Sequence, residues 1–191
     1  MEINSEKDFD IKRLTTFKIG GRVKEVFFPQ NLEEFEQILK ANEGIKVFGN
    51  LSNTLISSDG YNGKIVLTTK MNNIRIDGTK VVADAGVKGP KLSQEVCKNG
   101  LSGLEFMIGF PGSIGGEVCM NAISDTLISV ICYSKDKGLL KFSKDEMNFA
   151  YRTSRCQCED LIVLQAEFEL SKKDKNEIQS QMELNLDFRK A

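Results

Sequence analysis

Residues 100–122 read GLSGLEFMIGFPGSIGGEVCMNA. Glycines stand at 100, 103, 109, 112, 115 and 116 of this stretch, four of them within Gly109–Gly116. Glycine loses more backbone freedom on folding than any other residue, so such density needs a reason. The segment either requires positive φ angles or brings backbone against something bulky. Two readings stay open here. One is a loop that grips a phosphate or a planar ring. The other is a tight structural corner. Pro111-Gly112 sets a turn, and Ser113 is expected to cap a short helix whose amides face outward.

Regular elements are legible on both sides. Upstream, Lys91–Lys98 reads as a short helix ending at Asn99-Gly100. Ile74 and Ile76 alternate with polar residues, Asp77-Gly78-Thr79 is a hairpin turn, and residues 80–86 return. Downstream, strands are expected at 127–134 and 139–142 around the turn KDKG, and at 161–170. Residues 172–191 carry Ile178, Met182, Leu186 and Arg189 at helical spacing.

The beginning of the chain differs. Residues 22–28 are β-rich, and Asn31 caps a helix with Leu32, Phe35, Ile38 and Leu39 on one face and Glu33 and Glu34 in its first turn. Gly44 closes that helix, a strand runs from Ile45 to Phe48, and another from Lys64 to Thr68 follows the turn DGYNG. This order predicts a small parallel sheet. The fold class is therefore α+β: a small mixed unit over residues 1–70 and a larger, mainly antiparallel unit over 71–191.

Composition narrows the chemistry. The 191 residues include 26 Lys and Arg, 27 Asp and Glu and no histidine, for a net charge of −1. Catalysis by Ser–His–Asp or Cys–His sets, and His-containing zinc sites, are excluded. The balanced charge argues against a general nucleic-acid or anionic-membrane surface. No apolar run approaches the ~18 residues of a membrane span. The N-terminal MEINSEKDFDIKRL lacks the apolar core of a signal peptide, so a cytoplasmic location is expected. Cysteines at 97, 119, 132, 156 and 158 show no disulfide or metal framework, and no metal site is expected.

Two further motifs are ambiguous alone. Gly49-Asn50-Leu51-Ser52-Asn53 follows a strand and offers backbone amides and short polar side chains, as anion loops and ordinary loops both do. Arg152, in Tyr151-Arg152-Thr153-Ser154, is either a solvated cation or a bidentate donor to a carboxylate or enolate oxygen.

The succession of motifs is more specific. TTFKIGG (15–21), GNLSNTL (49–55), GLSGLEF (100–106), FPGSIGG (110–116), MNA (120–122) and YRTS (151–154) follow in order. From about Leu14 to its last residues the chain closely resembles the UDP-N-acetylenolpyruvoylglucosamine reductase family, flavoenzymes of peptidoglycan synthesis. The resemblance implies a two-subdomain FAD-binding fold of vanillyl-alcohol-oxidase/PCMH type. It implies FAD as cofactor, NADPH as reductant and a UDP-sugar as substrate, whose enolpyruvyl ether is reduced to UDP-N-acetylmuramate. It implies that Gly49, Asn50, Ser52 and Asn53 hold the FAD pyrophosphate. It places Pro111, Gly112, Ser113, Gly115, Gly116 and Asn121 in a second flavin-contacting segment, Tyr151 at the substrate, and Arg152 as the catalytic arginine that stabilises an enolate-like intermediate.

Three departures carry expectations of their own. The family continues beyond a similar Arg-containing helix end into a third, substrate-binding domain that supplies a proton-donating serine and a glutamate. With two of three catalytic positions outside this sequence, reduction by this chain alone is expected to be impaired, since a positioned general acid is worth ~10²–10⁴-fold. A partner supplying that domain would leave an apolar patch near the tail helix. Leu51 stands where the family usually has glycine, and its added bulk beside a pyrophosphate means that either the loop is rebuilt or FAD binds weakly. Ile123-Ser124-Asp125-Thr126 replaces a Gly-Ala-Tyr-Gly-like turn. The alternative reading is a non-catalytic FAD-binding or structural homologue with a regulatory role.

Overall fold

A computed structural model describes residues 4–190, so Met1–Ile3 and Ala191 of the stretches read above lie outside the described residues. The chain divides into two units, one ending at Asn72 and the other beginning at Asn73.

The first unit contains β1 (Ser5–Asp10), β2 (Arg22–Phe27), α1 (Leu32–Ala41), β3 (Lys46–Phe48) and β4 (Tyr61–Leu67). The sheet order is β1-β2-β4-β3. β2, β4 and β3 run parallel, as the strand–helix–strand order requires. β1 adds an antiparallel edge, with Ser5 opposite Phe27 and Asp10 opposite Arg22. Its sequence, SEKDFD, carries no strand signal. Charged residues suit an edge strand, because one side of it is left open. The Asn31 side chain accepts from Glu34 N at 2.9 Å, which fixes the start of α1. β4 begins at Tyr61, three residues before the expected Lys64, because the turn ends at Gly60 and Tyr61 already registers with Val23. Ile11, Val23, Val26, Ile65 and Leu67 form the core of the unit.

The second unit holds β5 (Ile74–Asp77), β6 (Lys80–Asp84), α2 (Gly89–Lys98), β7 (Leu101–Ser102), α3 (Ile114–Cys119), β8 (Leu127–Ser134), β9 (Gly138–Ser143), α4 (Arg155–Cys158), β10 (Ile162–Glu169), β11 (Ser171–Lys172) and α5 (Lys175–Lys190). Its main sheet has the order β5-β6-β10-β8-β9, antiparallel throughout. β7 and β11 pair separately. Leu92 and Val96 of α2 and Ile114 and Val118 of α3 pack with Val81, Ala83, Val130 and Phe168 of the sheet into one buried cluster.

α5 starts three residues later than the pattern suggests, because Asp174 Oδ1 accepts from Asn176 N at 2.9 Å and so sets its first turn. Ile178 and Met182 bury against Ile108. One turn apart on the same helix, Leu184 is 64% exposed and Phe188 86%. The surface of the tail helix is thus not uniformly polar.

Candidate functional site

The loop after β3 belongs to the first unit. Its Leu51 holds a left-handed backbone with φ of +53°. A β-carbon costs ~1–2 kcal/mol there. The side chain is 3% exposed and lies in the core with Ile11, Val23 and Ile65. Its burial, worth ~2 kcal/mol or more, outweighs the backbone cost. The bulk of Leu51 is thus directed into the core. Gly49, Asn50 and Ser52 remain half-buried and Asn53 exposed.

The glycine-rich segment lies in the second unit, and the capping role expected of Ser113 fails there. None of Gly109, Gly112, Gly115 and Gly116 has a positive φ. Ser113 occupies the N-cap position of α3, but its side chain makes no capping hydrogen bond. Nor do the first amides of α3 face outward: Ile114 N donates to Val87 O and Gly115 N to Ala85 O, both at 2.9 Å. Those carbonyls, just beyond β6, lie 27 and 30 residues upstream, and nothing local announces them.

Close approach is what the glycines serve. A β-carbon on Gly109 would lie 2.4 Å from Cδ of Arg189, and one on Gly112 1.9 Å from Oε1 of Glu117. Arg189 reaches from α5, donates Nη1 to Gly109 O at 3.0 Å and stacks its guanidinium 4.0 Å from the Phe110 ring centroid. Burial raises the pKa of the Glu117 carboxyl above the ordinary carboxylate range; the Arg189 charge and a hydrogen bond from Gly112 oppose that shift. Glu117 carried no signal in the sequence reading. Arg189 is marked in the sequence by its helical spacing and by the family-like helix end in which it stands. Gly116 faces open space, and Pro111 is exposed.

Asn121, just beyond α3, connects this segment to the Tyr151–Arg152 turn. Asn121 Nδ2 donates to Ala150 O at 2.8 Å, and Ser154 Oγ donates to Cys119 O at 2.8 Å. Ala150 and Thr153 exchange two backbone bonds at 3.1 Å, which close the turn. At its tip Tyr151 is 91% exposed, and Arg152 is exposed with φ of +55°. Asn121 also has a positive φ, +50°. Non-glycine residues in this region are uncommon and cluster where a site is over-determined by its surroundings. The structure thus brings together Asn121, Tyr151 and Arg152, which are distant in sequence. Ser154, read as a plain loop residue, is a second tie holding the turn.

Buried polar atoms in native folds nearly always have partners. Among the described residues, Ser93 Oγ, Ser113 Oγ and Asn121 Oδ1 are buried without one. Two of these three belong to the glycine-rich segment and its end. Open space at Gly116 and unused polar atoms at Ser113 and Asn121 suit a polar cofactor such as FAD. Among the described residues no cluster of His, Cys, Asp and Glu could hold a metal ion, and no helix is long and apolar enough to cross a membrane.

The family described as FAD binding domain matches residues 23–129. The UDP-N-acetylenolpyruvoylglucosamine reductase of Caldicellulosiruptor saccharolyticus is 38% identical over 180 residues, covering 89% of this chain and 58% of that enzyme. The enzyme of that name from Clostridium tetani is 36% identical over 178 residues, with 88% and 58% covered. The chain therefore spans about 58% of the length of these relatives. The crystal structure of UDP-N-acetylenolpyruvylglucosamine reductase from Thermus caldophilus superposes with a TM-score of 0.83 at 29% identity, over 100% of this chain and 70% of that one. A BBE-like protein of Physcomitrella patens, 12% identical, shares the fold with a TM-score of 0.59 over 89% of this chain and 42% of its own. The α+β architecture is thus the two-subdomain FAD-binding fold of the vanillyl-alcohol-oxidase/PCMH type. The chain belongs to the FAD-binding domain family and is similar to the corresponding part of the UDP-N-acetylenolpyruvoylglucosamine reductases.

Proposed function

We propose that this chain is the FAD-binding part of a cytoplasmic reductase that uses NADPH to reduce the enolpyruvyl ether of a UDP-sugar to UDP-N-acetylmuramate, in peptidoglycan synthesis. The observation that carries the reading is the junction at Asn121. Three residues that the family resemblance assigns to cofactor and substrate meet there, two of them in left-handed conformations and one with an orphaned buried oxygen. When bound, FAD supplies a two-electron relay between nicotinamide and substrate.

The chain's own residues do the following. Gly49, Asn50, Ser52 and Asn53 hold the diphosphate through amides and short side chains, with the loop anchored by Leu51. Ser113 Oγ donates or accepts a hydrogen bond to the cofactor and Asn121 Oδ1 accepts one, and Gly116, beside Pro111, Gly112 and Gly115 in the same segment, gives it close backbone approach. Tyr151 contacts the substrate. Arg152 presents a permanently charged planar donor pair to the substrate carboxylate, where negative charge grows during reduction. The family resemblance assigns the proton donor to the neighbouring carbon to a serine of the family's substrate-binding part. Reduction by the 191 residues alone is accordingly slow.

The test is a visible spectrum of the purified chain after incubation with FAD and desalting. The expected outcome is a retained flavin band near ~450 nm. Its absence would remove the cofactor assignment. Anaerobic NADPH is expected to bleach that band, and reoxidation by the enolpyruvyl substrate to be at least ~10²-fold slower than for a full-length relative.

A further inference from the structure

The second unit contains a chemical pair unrelated to the flavin reading. Cys132 lies in β8 and Cys156 in α4, 24 residues apart, and their sulfur atoms approach to 3.8 Å. They are 0% and 3% exposed. All five cysteines are free thiols. In sequence Cys156 groups with Cys158, but the fold separates that pair: Cys156 is buried and Cys158 exposed. A disulfide requires sulfur atoms ~2.05 Å apart, so the Cys132–Cys156 gap closes with a movement of about 1.8 Å. α4 is a single four-residue turn, short enough to make that movement without disturbing the sheet.

The two thiols are not equivalent. The hydrogen bond between them holds the Cys156 thiol below its ordinary value, while the same bond and burial push the Cys132 thiol up. Cys156, on the short α4 and 3% exposed against 0% for Cys132 in the sheet, is the sulfur a peroxide reaches first, and Cys132 is the resolving thiol.

We propose that Cys132 and Cys156 form a reversible intrachain disulfide when hydrogen peroxide oxidises the chain. The Cys156 thiolate attacks one peroxide oxygen, the O–O bond breaks, and hydroxide leaves, giving a sulfenic acid. The Cys132 sulfur then attacks the Cys156 sulfur, the S–O bond breaks, and the Cys132 proton leaves with the hydroxyl as water. Two thiols lose two electrons and two protons, and the peroxide becomes two waters. A dithiol reductant reverses the bond by exchange. The bridge fastens β8 to α4, whose N-cap Ser154 directly follows the Arg152 turn, so oxidation stiffens the base of that turn.

The experiment uses the reduced 191-residue chain with hydrogen peroxide as the probe. Remaining thiols are alkylated in denaturant, and intact mass and a non-reducing peptide map are recorded. The expected product has lost about 2 Da, alkylates at three thiols instead of five, and yields one linked peptide pair containing Cys132 and Cys156. Dithiothreitol releases the pair. A 24-residue loop closed in this way is also expected to raise the melting temperature by about 5 °C. Cys132→Ser and Cys156→Ser each abolish the link, and Cys158→Ser leaves it intact. The wild-type map decides the matter even if a serine variant fails to fold. Five alkylated thiols, a link through Cys158 or Cys119, or a sulfinic acid on Cys156 without a link would overturn the proposal.

Discussion

The loop around Leu51 and the segment Gly109–Gly116 are both tight connections beside a core, held by opposite means. At Leu51 the backbone is in an unfavourable region and a large buried side chain keeps it there. At Gly109–Gly116 the backbone is ordinary, and the missing side chains let Arg189 and Glu117 close over it. A glycine-rich loop is thus not by itself evidence of left-handed backbone, and a leucine in a loop is not by itself an obstruction. What counts is where each side chain, or its absence, is directed.

Substitutions sharpen this contrast. The largest effect is expected at Leu51. Leu51→Ala should cost about 2–4 kcal/mol in urea unfolding, because burial is lost and the φ of +53° remains. Leu51→Gly should cost roughly 0.5–1 kcal/mol less than alanine, since glycine adopts that φ freely. Equal costs would show that the side chain is not holding a strained backbone. Gly109→Ala should cost about 1 kcal/mol by displacing Arg189, and nearly nothing in an Arg189→Ala background. Additive losses in that double mutant would separate the two residues. Arg152→Gly, at a similar φ but with an exposed side chain, should be neutral or stabilising by up to about 1 kcal/mol while weakening substrate turnover. A clear loss of stability there would break the comparison with Leu51.

The smallest effects are in pH dependence, with opposite signs at two glutamates. Burial raises the Glu117 pKa above the ordinary 4.5, so its charge weakens the fold at neutral pH. Glu117→Gln should raise the melting temperature at pH 7, with the gain shrinking as pH falls through the raised value and absent below 4.5. Glu167 is lowered from 4.5 by hydrogen bonds from Ser129 and Lys141, at 2.7 and 3.2 Å. Its contribution is full above 4.5 and lost as pH falls through its folded value. Glu167→Gln should therefore lower the melting temperature at pH 7 by about 1–2 °C and converge with wild type in acid. Thermal scans between neutral pH and strong acid check both signs.

The elements legible in the sequence are those set by neighbours in the chain. The cap of α1 at Asn31, the turn at Gly78 between β5 and β6, and the alternation along β10 rest on contacts within a few residues. β1 escaped because an edge strand needs few apolar residues. The capping role expected of Ser113 failed because the amides of Ile114 and Gly115 are claimed by the carbonyls of Val87 and Ala85, just beyond β6. At the site, the order of motifs named Asn121, Tyr151 and Arg152, but not the bond that joins Asn121 to Ala150, 29 residues away.

Local chemistry alone thus determined the α+β class, the parallel and antiparallel units, the absence of histidine chemistry and the motif order that marks the family. Tertiary structure decided which way Leu51 points, what closes over Gly109 and Gly112, how Asn121 meets the Arg152 turn, and that Cys156 faces Cys132 and not Cys158. The physical reason is range. Turn propensity and side-chain periodicity act over a few residues and can be read directly. Close approach, burial and orphaned polar atoms exist only once distant segments share the same space.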